Sequence, residues 1–163
     1  MIEIKTLEPD QWALFKQIRC QALADAPYAF SSTLAAALKR TDAEWADLVQ
    51  RRATDPNDHT FLAYVADQLC GMATCICRTT AGETPTAEMF AVWVDPNYRK
   101  HKVGTALVEH ARHWSKARGA ATLYVGVFAA NQIALRFYQA IGFTDQGKRG
   151  AEPEIFLLEM SLA

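Results

Sequence analysis

Val92-Trp93-Val94-Asp95-Pro96-Asn97-Tyr98-Arg99-Lys100-His101-Lys102-Val103-Gly104-Thr105 reads as a strand, a loop and the first turn of a helix. The run of strand formers stops at Asp95-Pro96, because proline cannot donate to a ladder and keeps its predecessor extended. The bases Arg99, Lys100, His101 and Lys102 then lead into Val103, Leu107, Ala111 and Trp114, one face of a long helix closed by Gly119. The unpaired N–H groups and positive dipole end of such a helix favour an anion, and neighbouring bases add mobile charge. A diphosphate placed there would meet both. A solvated basic loop is the other reading, and Gly104 alone does not decide, since glycine opens many helices.

Outward from this segment, Thr86–Val94 forms the strand that feeds the loop, and residues 122–127 read as a buried strand beyond the helix. Val125 through Phe143 follows as V-G-V-F-A-A-N-Q-I-A-L-R-F-Y-Q-A-I-G-F. Asn131 can cap a helix bearing Ala134, Phe137, Tyr138 and Ile141, stopped by Gly142. A last strand covers residues 155–160. Toward the amino terminus, Ile2, Ile4 and Thr6 alternate with charged residues as a short strand would. Pro9-Asp10 opens a helix with Leu14, Ile18 and Ala22 at four-residue spacing, ending before Pro27. Thr41 and Glu44 form a capping box for a second helix that buries Trp45, Leu48 and Val49. Residues 61–66 and 70–77 flank a polar turn at Asp67-Gln68, which predicts a hairpin. One sheet with helices on its faces accounts for this order.

Composition narrows the rest. With 163 residues the chain is expected to form a single domain spanning residues 1–163. Half its residues are hydrophobic and 21% are charged, which excludes a disordered segment. The 17 Lys+Arg against 18 Asp+Glu leave no general basic surface, so no nucleic-acid partner is expected. No apolar run approaches the ~20 residues needed to cross a bilayer, and Met1-Ile2-Glu3-Ile4-Lys5 is no signal peptide. A soluble, cytoplasmic protein without a membrane partner is the expectation. Cys20, Cys70, Cys75 and Cys77 contain no C-x-x-C pair and read as small core hydrophobes rather than metal ligands. His110 and His113 lie loosely on one side of a helix with no third ligand in view, and read as solvated. No metal is expected.

Two motifs fix a resemblance. Arg99 through Gly104 matches R/Q-x-x-G-x-G/A except that Lys102 occupies the first glycine. Asn131, Ala134, Tyr138, Gly142 and Phe143 match N-x-x-A-x-x-x-Y-x-x-x-G-F at every spacing. With both motifs in order and a strand between them, the chain resembles the GNAT N-acetyltransferase superfamily, most strongly over residues 86–147. The Ala24-Asp25-Ala26-Pro27-Tyr28-Ala29-Phe30 stretch is similar to that of bacterial members of uncertain substrate. The resemblance implies an α+β fold, an αβ sandwich. Its mixed, mostly antiparallel sheet would have about seven strands, with splayed parallel strands four and five and about four helices on both faces.

The resemblance also implies roles. Acetyl-coenzyme A would lie between the splayed strands, its pantetheine amides paired with the backbone of Val92 and Val94 beside Trp93. The Val92 N–H would face the thioester carbonyl, where negative charge builds. Arg99, Lys100, His101, Lys102, Val103, Gly104 and Thr105 would hold the diphosphate. Glycine at the position of Lys102 would allow positive φ, so lysine suits the loop only if the backbone there stays in an ordinary region. Asn131 would bond the pantetheine arm, cap its helix, or do both. Tyr138 would protonate the departing thiolate; a ring packed in the core is the alternative. Glu88 would act as general base, or be a plain strand residue. Tyr28, Phe30 and Ser31 would help to form the acceptor pocket. The expected activity is transfer of an acetyl group to a primary amine of a small molecule or protein terminus, by direct attack in a ternary complex. An acyl-coenzyme A sensor without turnover is the alternative, kept open by Lys102. A structural partner protein using Trp12 and Trp45 is another. A homodimer is compatible with all three.

Overall fold

Alternation in the first residues builds β1 (Ile2–Thr6), whose Ile2 and Ile4 pack against the core. The computed structural model describes residues 1–149 and 154–163. β2 (Asp58–Val65), β3 (Gln68–Arg78) and β4 (Thr86–Val94) continue from β1 as an antiparallel meander. With β5 (Thr122–Phe128), β6 (Thr144–Arg149) and β7 (Ile155–Ser161) they form one seven-stranded sheet, ordered β1-β2-β3-β4-β5-β7-β6. β4 and β5 pair in parallel and the other neighbours antiparallel. This is the mixed α+β sandwich expected.

Two packed layers cover the sheet. On one face lie α1 (Trp12–Asp25), α2 (Leu34–Lys39) and α3 (Asp42–Thr54). Phe15, Ile18 and Ala22 of α1 and Trp45 and Val49 of α3 bury against Leu62, Met72 and Trp93. Phe15 and Trp45 meet edge to face at 6.0 Å. The Thr41–Glu44 capping box forms in both directions and starts α3. On the other face lie α4 (Val103–Ala117) and α5 (Gln132–Ala140). Val103, Leu107, Val108 and Ala111 with Leu135 and Tyr138 close over Phe61, Met89, Leu123 and Val125. Glycines in the left-handed region follow both helices, Gly119 at φ 79° and Gly142 at φ 111°.

The short α2 has no sequence periodicity to announce it; Thr33 caps it by accepting from the Ala36 N–H at 3.1 Å. The hairpin turn falls one residue earlier than expected. Ala66 (φ 48°) and Asp67 (φ 62°) form it, the pair of positive φ values that matches strand twist, and Gln68 already belongs to β3. Cys70, Cys75 and Cys77 are buried free thiols, as read from their spacing.

His110 is a correction: it is half-buried rather than solvated. Its partner is His59 of β2, not His113, with Nε2 atoms 2.9 Å apart and both rings beside Phe61. Only one of the two nitrogens can carry a proton at that distance. Burial, then the charges of His110 and Arg118, hold His59 down to about 4. Unfolded histidine titrates near 6.5, so between those values the unfolded chain binds more protons than the folded one. Stability should therefore fall as pH drops from about 6.5 toward 4. His59→Phe should flatten that decline, which thermal melts across the range would measure.

Candidate active site

β4 and β5 pair only from Thr86↔Thr122 to Met89↔Val125, and beyond Met89 they part. The reason lies in β4. Its register against β3 passes from Thr74↔Phe90 to Met72↔Trp93, so Ala91 and Val92 oppose Ala73 alone, and Ala91 takes φ 53°. This β-bulge leaves ladder groups unpaired and reverses which face each side chain meets. Before it, Ala87 and Met89 pack under α4; after it, Val92 and Val94 do, while Trp93 joins the core of α1 and α3. No sequence signal at Ala91 announced the bulge, because glycine would be the usual residue there.

The gap holds two adjoining cavities. The larger, of ≈ 590 Å³, is lined by Val92, Trp93, Val94, Arg99, Lys100, Lys102, Val103, Gly104, Thr105, Asn131 and Tyr138. Almost every residue expected to hold the coenzyme is therefore brought to one cleft. The exposed His101 is not among those lining it. The smaller, of ≈ 330 Å³, is lined by Phe30, Ser31 and Glu88 together with Arg19. Tyr28, assigned above to the acceptor side, lines the larger cavity instead. Tyr138, Asn131 and Val92 line both.

In the loop, the Asp95 carboxylate accepts from the Asn97 N–H at 2.8 Å and starts a short 3₁₀ turn over Pro96–Tyr98. Lys100 (φ 64°) and Lys102 (φ 65°) both occupy the left-handed region. The ordinary backbone required of Lys102 is thus not what the structure has: lysine takes the positive φ that glycine would adopt freely. That costs a non-glycine residue roughly 1–2 kcal/mol. Lys102→Gly should recover about 1 kcal/mol net of the extra chain entropy of glycine, read as a higher urea midpoint at unchanged slope. Gly104, two residues on, sits where a Cβ would come within 3.1 Å of the Phe137 ring, so glycine lets that ring of α5 rest against the start of α4.

Arg99 is not free. Its Nε donates to the Val94 carbonyl at 2.9 Å, and its Nη2 ion-pairs with Asp25 at the end of α1. Asp25 also accepts from the Trp93 indole N–H at 2.9 Å. Burial pushes the Asp25 carboxyl up, but these two donors outweigh it and hold the group below its usual range. Asp25 thus ties α1 to strand and loop together, a part that spacing did not reveal.

Tyr138 is only 6% exposed and packs edge to face with Phe137 and Phe143 at 5.1 and 5.4 Å. Burial pushes its phenol well above the ordinary value, so at neutral pH it is a donor that keeps its proton. Asn131 Oδ1 caps α5 by accepting from the Ala134 N–H at 3.2 Å. Its amide nitrogen remains as a donor on a cavity-lining side chain. Glu88 is ion-paired with Arg78 at 3.1 Å and its side chain is 38% exposed. Among the described residues, no group of three or more His, Cys, Asp or Glu side chains is placed to hold a metal. No described helix is long and apolar enough to cross a membrane.

The cleft thus sits where the one parallel pair of an α+β sheet splays at a bulge, facing a helix N-terminus. Residues 20–143 match the acetyltransferase (GNAT) family, and the chain belongs to that family. Over 59 residues it is 39% identical to the ribosomal protein bS18-alanine N-acetyltransferase of Escherichia coli K12, covering 36% of this chain and 40% of that one. The chain spans 40% of the length of the first curated relatives it matches. A GNAT-family acetyltransferase from Streptococcus pneumoniae superposes with a TM-score of 0.82 at 20% identity over 100% of both chains. The PaiA N-acetyltransferase of Thermoplasma acidophilum, solved in complex with coenzyme A, gives 0.76 at 18% identity over 99% of each. These structural likenesses establish the fold.

Proposed function

We propose that the protein transfers the acetyl group of acetyl-coenzyme A to a primary amine by direct attack within a ternary complex. The observation that carries this reading is Tyr138, set in the wall shared by two cavities, one reaching the α4 N-terminus and the other reaching Glu88. The residues fit an extended thioester. β4 has no β5 partner beyond Met89, and the first turn of α4, with its unpaired N–H groups, lines the larger cavity. The complex of the Thermoplasma acidophilum protein with coenzyme A supports the same ligand here.

Acetyl-coenzyme A supplies an activated acetyl carbonyl when bound. The Val92 N–H would stabilise the charge that develops on its oxygen. Tyr138 would donate a hydrogen bond to the departing sulfur. Glu88 would take a proton from the incoming amine, directly or through water. No cysteine among the described residues lines either cavity, which favours direct attack over a covalent acetyl-enzyme. The acceptor class is a small-molecule or protein-terminal amine, in line with the alanine amine named for the Escherichia coli relative.

Thiol release from acetyl-coenzyme A across an amine panel tests the proposal, with intersecting initial-velocity lines expected for a ternary complex. Calorimetric binding of the coenzyme without release by any amine would replace this reading by that of an acyl-coenzyme A-binding module. Glu88→Gln should lower turnover at pH 7 by about tenfold, because an α-amine of pKa near 8 is already about a tenth neutral there. The loss should shrink as pH rises and the amine deprotonates unaided. An unaltered pH–rate profile would remove Glu88 as the base.

A further inference from the structure

We infer that the acceptor is a free amino acid, an amine carrying its own carboxylate, and that Arg19 receives that carboxylate. The inference rests on the acetyl-transfer reading for the amine end and on a separate observation for the acid end. Arg19 of α1 lines the smaller cavity with Glu88, and its Nη1 is buried with no hydrogen-bond partner among the described residues. Its guanidinium lies over the Phe30 ring, 4.8 Å from the centroid.

The surrounding charges deepen the imbalance. Arg52 lies over Phe90 at 5.7 Å and Arg40 over Trp45 at 5.1 Å, and both repel Arg19. Burial first, then those two arginines, push Arg19 down to about 10, so it is still a cation at neutral pH. The carboxylate of Glu88 is engaged by Arg78, and that of Asp58 is felt by Arg52. A buried donor left without an acceptor costs about 1–3 kcal/mol, and more when charged. A planar carboxylate supplies two acceptors in the geometry of the guanidinium fork and offsets the local excess of positive charge.

Size agrees with a small zwitterion. The cavity of ≈ 330 Å³ is near the lower bound for ligand sites, about 300 Å³. An amine directed toward Glu88 and Tyr138 and an acid directed to Arg19 place both charges of one small molecule within it. A peptide amine presents a neutral amide where the free acid has its carboxylate, and would leave Arg19 without an anion.

Thermal melts of the coenzyme A-loaded protein with each common L-amino acid, beside its C-terminal amide, test this. At least one acid should raise Tm by more than its amide, corresponding to about tenfold tighter binding. Arg19→Gln should abolish that preference, and Arg19→Lys, which keeps the charge without the fork, should retain part of it. Equal shifts for acid and amide overturn the inference, as does a preference that survives in Arg19→Gln or the absence of any shift with any acid. An amidated peptide beginning with Asp or Glu that matches the best free acid would also overturn it, in favour of an acidic peptide terminus. Calorimetry with coenzyme A on the same samples keeps the two readings apart. Loss of coenzyme binding would sink acetyl transfer, while the acid–amide difference would still be read without coenzyme.

Discussion

Tyr138→Phe is expected to cut turnover about a hundredfold while leaving acetyl-coenzyme A affinity within about twofold. The substitution removes one oxygen and keeps the ring that packs against Phe137 and Phe143, so the fold should be nearly unaffected. The size of the effect follows from proton affinities. A free thiol titrates near 8.5 and a free phenol near 10, and burial raises the Tyr138 phenol further. Complete proton transfer to the leaving sulfur is therefore uphill, and what the hydroxyl can offer is a hydrogen bond to developing negative charge. That places the loss at the low end of the ~10²–10⁴ range for acid–base groups. Because the phenol stays protonated, Tyr138 should add no descending limb to the pH–rate profile in the neutral range. Steady-state kcat together with calorimetric affinity checks the split; an unchanged kcat would assign the side chain to packing alone.

The frame of the molecule was legible where local chemistry and long-range order agree. Thr41 and Glu44 announced α3, Thr86–Val94 announced β4 to the residue, and Gly119 and Gly142 marked the helix ends. β6 went unread because Thr144–Arg149 is a polar stretch with no apolar alternation. β2 starts at Asp58, before the apolar run, since its early polar residues find partners across the sheet and under α4, Thr60 with Thr74 and His59 with His110. At the site, a motif could gather residues close in sequence, such as Arg99 through Thr105, around one cleft. It could not show pairings such as Asp25 with Arg99, set 74 positions apart, because those exist only once α1 docks on β4. Nor could it show the state of Lys102. Residue type alone argued for ordinary backbone there, and the loop's anchors at both ends override that preference.

Asp25→Ala is therefore expected to act on two observables at once. Trp93 is 5% exposed and its indole N–H donates to Asp25, so the truncation strands a buried donor and costs about 1–2 kcal/mol. For a chain of this length that corresponds to a fall in Tm of roughly 2–8 °C. The second effect is on the coenzyme loop. Arg99 would keep only the Val94 carbonyl, and the turn that holds Lys100 and Lys102 at positive φ would lose its tether to α1. Each left-handed lysine pulls toward relaxation with roughly 1–2 kcal/mol, more than an exposed Arg99 freed from its ion pair would add by attracting a diphosphate. The relaxed loop scatters the N–H groups at the start of α4, and acetyl-coenzyme A should bind about tenfold more weakly, near the 1.4 kcal/mol that tenfold represents. Asp25→Asn grades the two effects, because one Asp25 oxygen accepts from both Trp93 and Arg99, and an amide oxygen in its place keeps both hydrogen bonds while losing the charge. It should keep most of the stability and weaken coenzyme binding by less than Asp25→Ala does. Tighter coenzyme binding by either variant would mean that Asp25 restrains Arg99 from the ligand rather than ordering the loop for it.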